Sequence, residues 1–260
     1  MAVRAKVVLI VEYEGTRYHG FQFQENAPTI QEELERALEK LTGKKTRVIG
    51  ASRTDAGVHA QGQVVSFRTG SSFSPTTWVR ALNYYLPWDI AVKRAGYVRA
   101  DFDVRREALS REYCYQIWNS PARAPLKQRF ALLVTQPLEE RAMDQACQTM
   151  VGRWDFASFA SSMKGRRQST VRTMYRTGVG RKGELVTIEM VADSFLPHQV
   201  RNTVGALIRV GQGRMGIEEF CGIAQARKPG LAGPAAPAHG LCLMKVNYPE
   251  PWGEPGNENL

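Results

Sequence analysis

Thr29-Ile30-Gln31-Glu32-Glu33-Leu34-Glu35-Arg36-Ala37-Leu38-Glu39-Lys40-Leu41 is the stretch that decides the fold. Ile30, Leu34, Ala37, Leu38 and Leu41 recur at helical spacing, so residues 30–41 form a helix with one apolar face, and that face must cover a sheet. Thr29, with Glu32 three residues on, is a capping box that sets its start. Upstream, residues 6–14 are an apolar, β-rich run. Downstream, residues 47–52 and 63–67 read as strands joined by a glycine-containing loop. Ser74 and Pro75 then form the N-cap and first turn of a helix through residue 86, and residues 90–98 close the half as a strand. The order is β-α-β-β-α-β.

The second half repeats it. Residues 111–118 are β-rich, and a helix over 138–151 places Met143, Ala146, Cys147, Met150 and Val151 on one face. Residues 172–179 and 185–191 form a hairpin around the turn glycines Gly180 and Gly183. Helices over 198–210 and 217–226 follow, and 241–248 is a last strand. The expected class is therefore α+β, with two similar ferredoxin- or RRM-like β-α-β-β-α-β halves. Their sheet is largely antiparallel, with helices on one face and the other face left as a cleft for binding. The expected divisions are 1–104 and 105–248, with a flexible tail over 249–260.

The 260 residues are 43% hydrophobic and 23% charged, a globular composition. The longest aliphatic run, Val7-Val8-Leu9-Ile10-Val11, falls well short of the roughly 18 residues of a membrane span. No membrane association is expected, and the N-terminus lacks the small-residue cleavage site of a secretory signal, so the expected location is cytoplasmic. Cys114, Cys147, Cys221 and Cys242 are far apart with no C-x-x-C pair, which predicts buried free thiols. Lys and Arg number 35 against 25 Asp and Glu, a net charge of +10. Such an excess draws a protein to polyanions, of which nucleic acid is the commonest. Between Lys164 and Lys182 lie seven basic residues (Lys164, Arg166, Arg167, Arg172, Arg176, Arg181, Lys182) and no acidic one. That stretch is either part of an RNA path, with Lys164, Arg166, Arg167 and Arg172 on the phosphate backbone, or a solvated hairpin.

The chemistry concentrates in Gly50-Ala51-Ser52-Arg53-Thr54-Asp55-Ala56-Gly57-Val58-His59-Ala60-Gln61-Gly62-Gln63. It joins two strands and holds one carboxylate among small residues and an arginine, with Gly57 and Gly62 free to turn or to approach a ligand closely. On loop context alone Asp55 reads first as an Asx-turn residue. No G-x-x-x-x-G-K-[ST] pattern is present. Apart from Asp55 there is no acid between Lys40 and Asp89, so a two-metal hydrolytic site is disfavoured and no metal is expected.

Residues 52–60 resemble the signature of the tRNA pseudouridine synthase A family, whose catalytic aspartate lies in an R-T-D-A-G-V-H segment. Further blocks resemble it in order: Tyr13-Glu14-Gly15-Thr16 and Gly20-Phe21-Gln22-Phe23-Gln24 before Thr29-Ile30-Gln31; Arg111-Glu112-Tyr113-Cys114-Tyr115; Phe195-Leu196-Pro197-His198-Gln199-Val200-Arg201-Asn202; and Ala236-Pro237-Ala238-His239-Gly240-Leu241. The resemblance implies isomerisation of uridine to pseudouridine at positions 38, 39 and 40 of the tRNA anticodon stem-loop, without a cofactor. It makes Asp55 either a nucleophile at the ribose C1′ or the base that removes the 2′ proton. Arg201 is implied to pair with Asp55, and Tyr113 to stack on the target base with its phenol near the C5 proton. Arg53 is implied to hold phosphate and keep the flipped nucleotide out of the stack. His59 contacts RNA or supports the loop, and Gln22, Gln24, His198 and Asn202 contact the pocket or the backbone. The family's dimers, in which each tRNA touches both subunits, imply a homodimer.

The sequence departs from the family at Val98-Arg99-Ala100-Asp101-Phe102, where F-H-A-R-F is usual. Phe21 replaces a usual Trp, and Ala51-Ser52 replaces a commoner glycine before Arg53. Two other readings stand beside the main one: a catalytically silent RNA-binding protein, and a pseudouridine synthase with a different RNA target. Retention of Asp55 together with Tyr113 and Arg201 favours an enzyme over the first.

Overall fold

A computed structural model describes residues 5–161 and 169–249. The chain forms two compact units, one of Met1–Leu109 with Leu243–Leu260 and the other of Ser110–Cys242. The class is mixed α+β with mostly antiparallel strands. Among the described residues no helix is long and apolar enough to cross a membrane. Lys164, Arg166, Arg167 and the tail from 250 lie outside the described residues.

The first unit runs β1 (Ala5–Tyr13), α1 (Ile30–Thr42), β2 (Ile49–Gly50), β3 (His59–Thr69), α2 (Pro75–Tyr85) and β4 (Ile90–Val98), the order its periodicities dictate. β1 lies between β4 and β3, antiparallel to both, and β2 adds to β3 through Ile49 opposite Ser66. The final strand of the chain, β10 (Leu241–Asn247), enters this unit at Leu243. Thr29 Oγ1 accepts from Glu32 N at 3.3 Å, while the Glu32 carboxylate turns to Arg36 at 2.9 Å. Gly43, at φ 68, ends α1 in the left-handed conformation that suits glycine. Ile30, Leu34, Ala37 and Leu38 of α1 and Trp78 and Leu82 of α2 are buried. Phe67 of β3 meets Trp78 edge-on at 5.3 Å. Because strand side chains alternate, Ser66 and Arg68 face away from α2.

The second unit runs β5 (Ser110–Asn119), β6 (Leu132–Val134), α3 (Glu140–Gln148), β7 (Gly152–Asp155), β8 (Val171–Lys182), β9 (Leu185–Ala192), α4 (Gln199–Gly211) and α5 (Ile217–Ala226). The antiparallel order is β5-β9-β8-β7, with β6 parallel to β5. The strands β6 and β7 go beyond the expected repeat. α3 is shorter than its periodicity predicts: it stops at Gln148, and the chain turns at Gly152 with φ 113. Met143, Ala146 and Cys147 of α3, Val204 and Leu207 of α4 and Phe220 of α5 are buried in its core, where α3 contacts both other helices. The cysteines are free thiols as expected, but only Cys114 and Cys147 are buried; Cys221 and Cys242 are half-buried. Burial pushes the Cys114 thiol up to about 11 and that of Cys147 to about 12.

Candidate active site

Asp55 lies half-buried in the first unit, on the loop between β2 and β3, with Arg53 exposed beside it. Backbone bonds fix the loop. Phe21 N donates to Thr54 O at 3.1 Å, Gly57 N to Tyr18 O at 3.2 Å, and Val58 N to Asp55 O at 3.2 Å. The approach is close enough to require glycine: a Cβ on Gly15 would lie 2.0 Å from Val58 O, and one on Gly20, at φ 91, would lie 2.7 Å from Thr54 O. Gly50, where the loop leaves β2, rests on the Phe21 ring, whose nearest carbon is 2.4 Å from a Cβ position there.

Buried polar side chains hold the loop from below. Gln63 is fully buried; its Oε1 accepts from Ser52 N at 3.2 Å and its Nε2 donates to Ser52 O at 2.8 Å. Tyr13 Oη shares a hydrogen bond with Thr54 Oγ1 at 2.8 Å. His59 is buried, and its Nδ1 accepts from Gly15 N at 3.0 Å, which ties the loop's exit to the Gly15 turn. Asp89 anchors that turn in its own right. Its backbone oxygen accepts from Glu14 N at 2.9 Å, and its carboxylate accepts from Tyr18 Oη and Arg17 Nε, each at 2.7 Å. Burial alone would raise the Asp89 carboxyl, but the bonds from Arg17 and Tyr18 outweigh it and hold it below the usual carboxylate range. Burial, then the bond to Asp89, pushes the Tyr18 phenol up. Gln22 and Gln24 are exposed on the segment before α1, where Gln24 Nε2 donates to His19 O at 2.6 Å.

In the second unit Tyr113 lies on β5, buried and edge-on to Phe195 at 5.2 Å. Phe195 opens the segment that enters α4. Leu196 N donates to Gln199 Oε1 at 2.9 Å, and His198 takes φ 59 at the helix N-cap with its Nδ1 2.5 Å from Ser161 Oγ. Asn202 is buried and donates to Phe159 O at 2.7 Å. Arg201, in the first turn of α4, exchanges two bonds with one residue: its Nε donates to Ala236 O at 2.8 Å and its carbonyl accepts from Ala236 N at 2.9 Å. The neighbouring Pro237 carbonyl takes a 2.8 Å bond from the fully buried Tyr115. Burial raises the Tyr115 phenol and the Arg201 charge pulls it back. Gly205 lets α4 touch the same segment, since a Cβ there would lie 2.3 Å from Pro234 O.

Thus Asp55 and Arg53 lie on the loop before β3 and His59 at the first position of that strand, all in the first unit, whereas Arg201, His198 and Asn202 share the start of α4 in the second. The basic hairpin is less bare than its sequence. Arg176 lies 3.9 Å from Glu112 and 3.8 Å from Glu189, and Arg181 lies 2.8 Å from Glu140, acids supplied by other elements. Arg172 is half-buried and donates to the carbonyls of Ser169 and Val171 at 2.8 and 2.6 Å; burial lowers its pKa. Sequence reasoning gives no role to Gln63, Asp89 or Tyr115. The one signal for Gln63 is an amide beside the paired valines Val64 and Val65, a polar side chain inside an apolar strand. Among the described residues no three His, Cys, Asp or Glu side chains converge as metal ligands.

A family model described as tRNA pseudouridine synthase matches residues 9–105 and 146–249. Curated relatives named tRNA pseudouridine synthase A match over nearly their whole length. That of Syntrophomonas wolfei is 39% identical over 95% of this chain and 98% of its own. The protein of Acetivibrio thermocellus is 42% identical over 93% and 99%, and that of Chloroflexus aurantiacus 41% identical over 96% and 92%.

Proposed function

The chain belongs to the tRNA pseudouridine synthase family, an isomerase family acting on tRNA, and from that premise we propose that it modifies positions 38, 39 and 40 of the anticodon stem-loop with Asp55 as the catalytic carboxylate. The observation that carries this reading is the fixed loop around Asp55, which holds one carboxylate by backbone bonds in the segment that resembles the family signature.

The reaction is a rearrangement with no net redox change. The bond from C1′ to N1 breaks, the uracil turns, C1′ bonds to C5, the C5 proton leaves and N1 gains one. Positive charge builds at C1′ as the base departs, as in glycoside cleavage, and a carboxylate held there stabilises it or captures it covalently. The same group placed at C2′ would instead take the 2′ proton. We assign Arg201 to Asp55 as the guanidinium that keeps the carboxylate ionised, with its aim set by Ala236. Tyr113 stacks on the base, and its phenol takes part in removal of the C5 proton. Arg53, exposed beside Asp55, holds a phosphate of the flipped nucleotide. His59, Gln22, Gln24, His198 and Asn202 complete the pocket or support it, and Lys164, Arg166, Arg167 and Arg172 contribute to the RNA path. The enzyme works in the cytoplasm as a homodimer, which light scattering of the purified protein tests.

Asp55→Asn tests the assignment. The carboxylate does chemistry while affinity comes from phosphate contacts, so turnover falls by roughly four orders of magnitude and tRNA affinity stays within about threefold. Turnover by the variant within about tenfold of the native rate overturns it.

A further inference from the structure

A second basic feature of the first unit lies away from Asp55. The connection from α1 to β2 and the ends of β1 and β3 enclose a groove of about 1090 Å³. Five cations line it, Lys6, Lys44, Lys45, Arg47 and Arg68, with no carboxylate among the lining residues. They form two walls: Lys6 and Arg68 on the sheet, and Lys44, Lys45 and Arg47 on the connection.

The sheet wall is built against its own electrostatics. Lys6 and Arg68 are direct cross-strand partners, and like charges in that position destabilise a sheet. Lys6 Nζ donates to Phe102 O at 2.5 Å and Arg68 Nη2 to Ala100 O at 3.0 Å, contacts that orient the two cations; the Asp103 carboxylate acts on Lys6, whereas the bond to Arg68 comes from a neutral carbonyl. Arg47 lies 3.4 Å from Glu35. Lys44, Lys45 and Arg68 have no ion pair among the described residues. Ser66, two residues before Arg68 on the same strand face, also lines the groove, and its buried Oγ has no hydrogen-bond partner. The hairpin of the second unit differs, because Arg176 and Arg181 there are met by acids.

We propose that this groove is a remote binding site for the sugar-phosphate backbone of a helical arm of the tRNA. Its cations stand on two walls instead of converging on one point, which suits a row of phosphates better than a single small anion. Asp55 precedes the start of β3 at His59 and the groove lies at its far end. The nine residue-to-residue steps from His59 to Arg68 span about 30 Å, so the groove contacts a part of the RNA other than the reacting nucleotide. The choice of tRNA rests on the function proposed above.

The experiment measures affinity for a full-length unmodified tRNA transcript against salt, with the whole protein and its Lys44→Ala/Lys45→Ala/Arg68→Ala variant. Loss of three phosphate contacts lowers the slope of log affinity against log salt by roughly two to three and weakens binding roughly tenfold or more near 0.1 M salt. Lys44→Arg/Lys45→Arg, which keeps the charge, retains the native slope. An unchanged slope in the triple variant overturns the proposal, as does weaker binding at the native slope. Pseudouridine formation by the unaltered protein is scored separately. If none forms while the triple variant still loses slope, the groove stands as an RNA site and the isomerase reading falls.

Discussion

The loop that carries Asp55 and the helix start that carries Arg201 are positioned by different means. Around Asp55 the frame is backbone: carbonyls of Tyr18, Thr54 and Asp55 accept from chain N–H groups, and two glycines permit approaches that any side chain would block. Around Arg201 the frame is mostly side chain on backbone, with the guanidinium on Ala236 and Tyr115 bracing Pro237. A backbone frame tolerates almost no added atoms. A side-chain frame loosens by degrees, because each of its bonds can be removed singly and partly replaced by water.

Gly15→Ala strikes the backbone frame at its most rigid point. The new Cβ meets the Val58 carbonyl at 2.0 Å, and neither partner is a flexible side chain, so the loop must move. The expected loss is about 1–3 kcal/mol, read as a lower urea midpoint, together with loss of most turnover from the displaced Asp55 loop.

Tyr115→Phe probes the softer frame. It removes the bond to the Pro237 carbonyl, but Pro237 is exposed and that carbonyl can be rehydrated. Stability should fall by about 1 kcal/mol and kcat by roughly tenfold as Arg201 loses its fixed aim. Stopped-flow and denaturation curves measure the two. A Tyr115→Phe effect as severe as that of Gly15→Ala would erase the distinction.

The smallest effect is a pH dependence. The folded Asp89 carboxyl lies below its unfolded value of about 3.9. Its contribution to stability is therefore complete above that value and disappears as pH falls through the folded one. Asp103, whose carboxyl is also held down, first by the backbone N–H of Arg105, adds a contribution of the same sign. The urea midpoint of the unaltered protein should drop more steeply below about pH 4 than that of Asp89→Asn, since the amide has no proton to gain there. Parallel curves would remove Asp89 from the frame of the Asp55 loop.

Much of this architecture is legible in the sequence because local signals agree. α2 starts at Pro75 behind Ser74, which accepts from Thr77 N, and β4 occupies 90–98 as its apolar run requires. β6 and β7 are illegible because they are three and four residues long, and Arg153 and Trp154 of β7 are exposed, so there is no alternation to read. α3 misleads because its apolar period runs through Met150 and Val151, although Val151 is 40% exposed and the chain has already turned. At the site, the motif singles out Asp55 and its arginine. Gln63 and Asp89 escape because a polar residue in or beside a strand reads as solvent-facing until the fold buries it. Charge compensation is equally hidden, since the acids that meet Arg176 and Arg181 lie at distant sequence positions.

Whether this protein makes pseudouridine in the anticodon arm can be read on the RNA itself. The measurement is the mapping of pseudouridine at single-nucleotide resolution in unmodified tRNA transcripts carrying uridine at positions 38, 39 and 40, after incubation with the purified protein. Product is expected at those positions and at no other uridine; an unmodified anticodon arm, or product confined to another arm of the tRNA, rules the proposed function out.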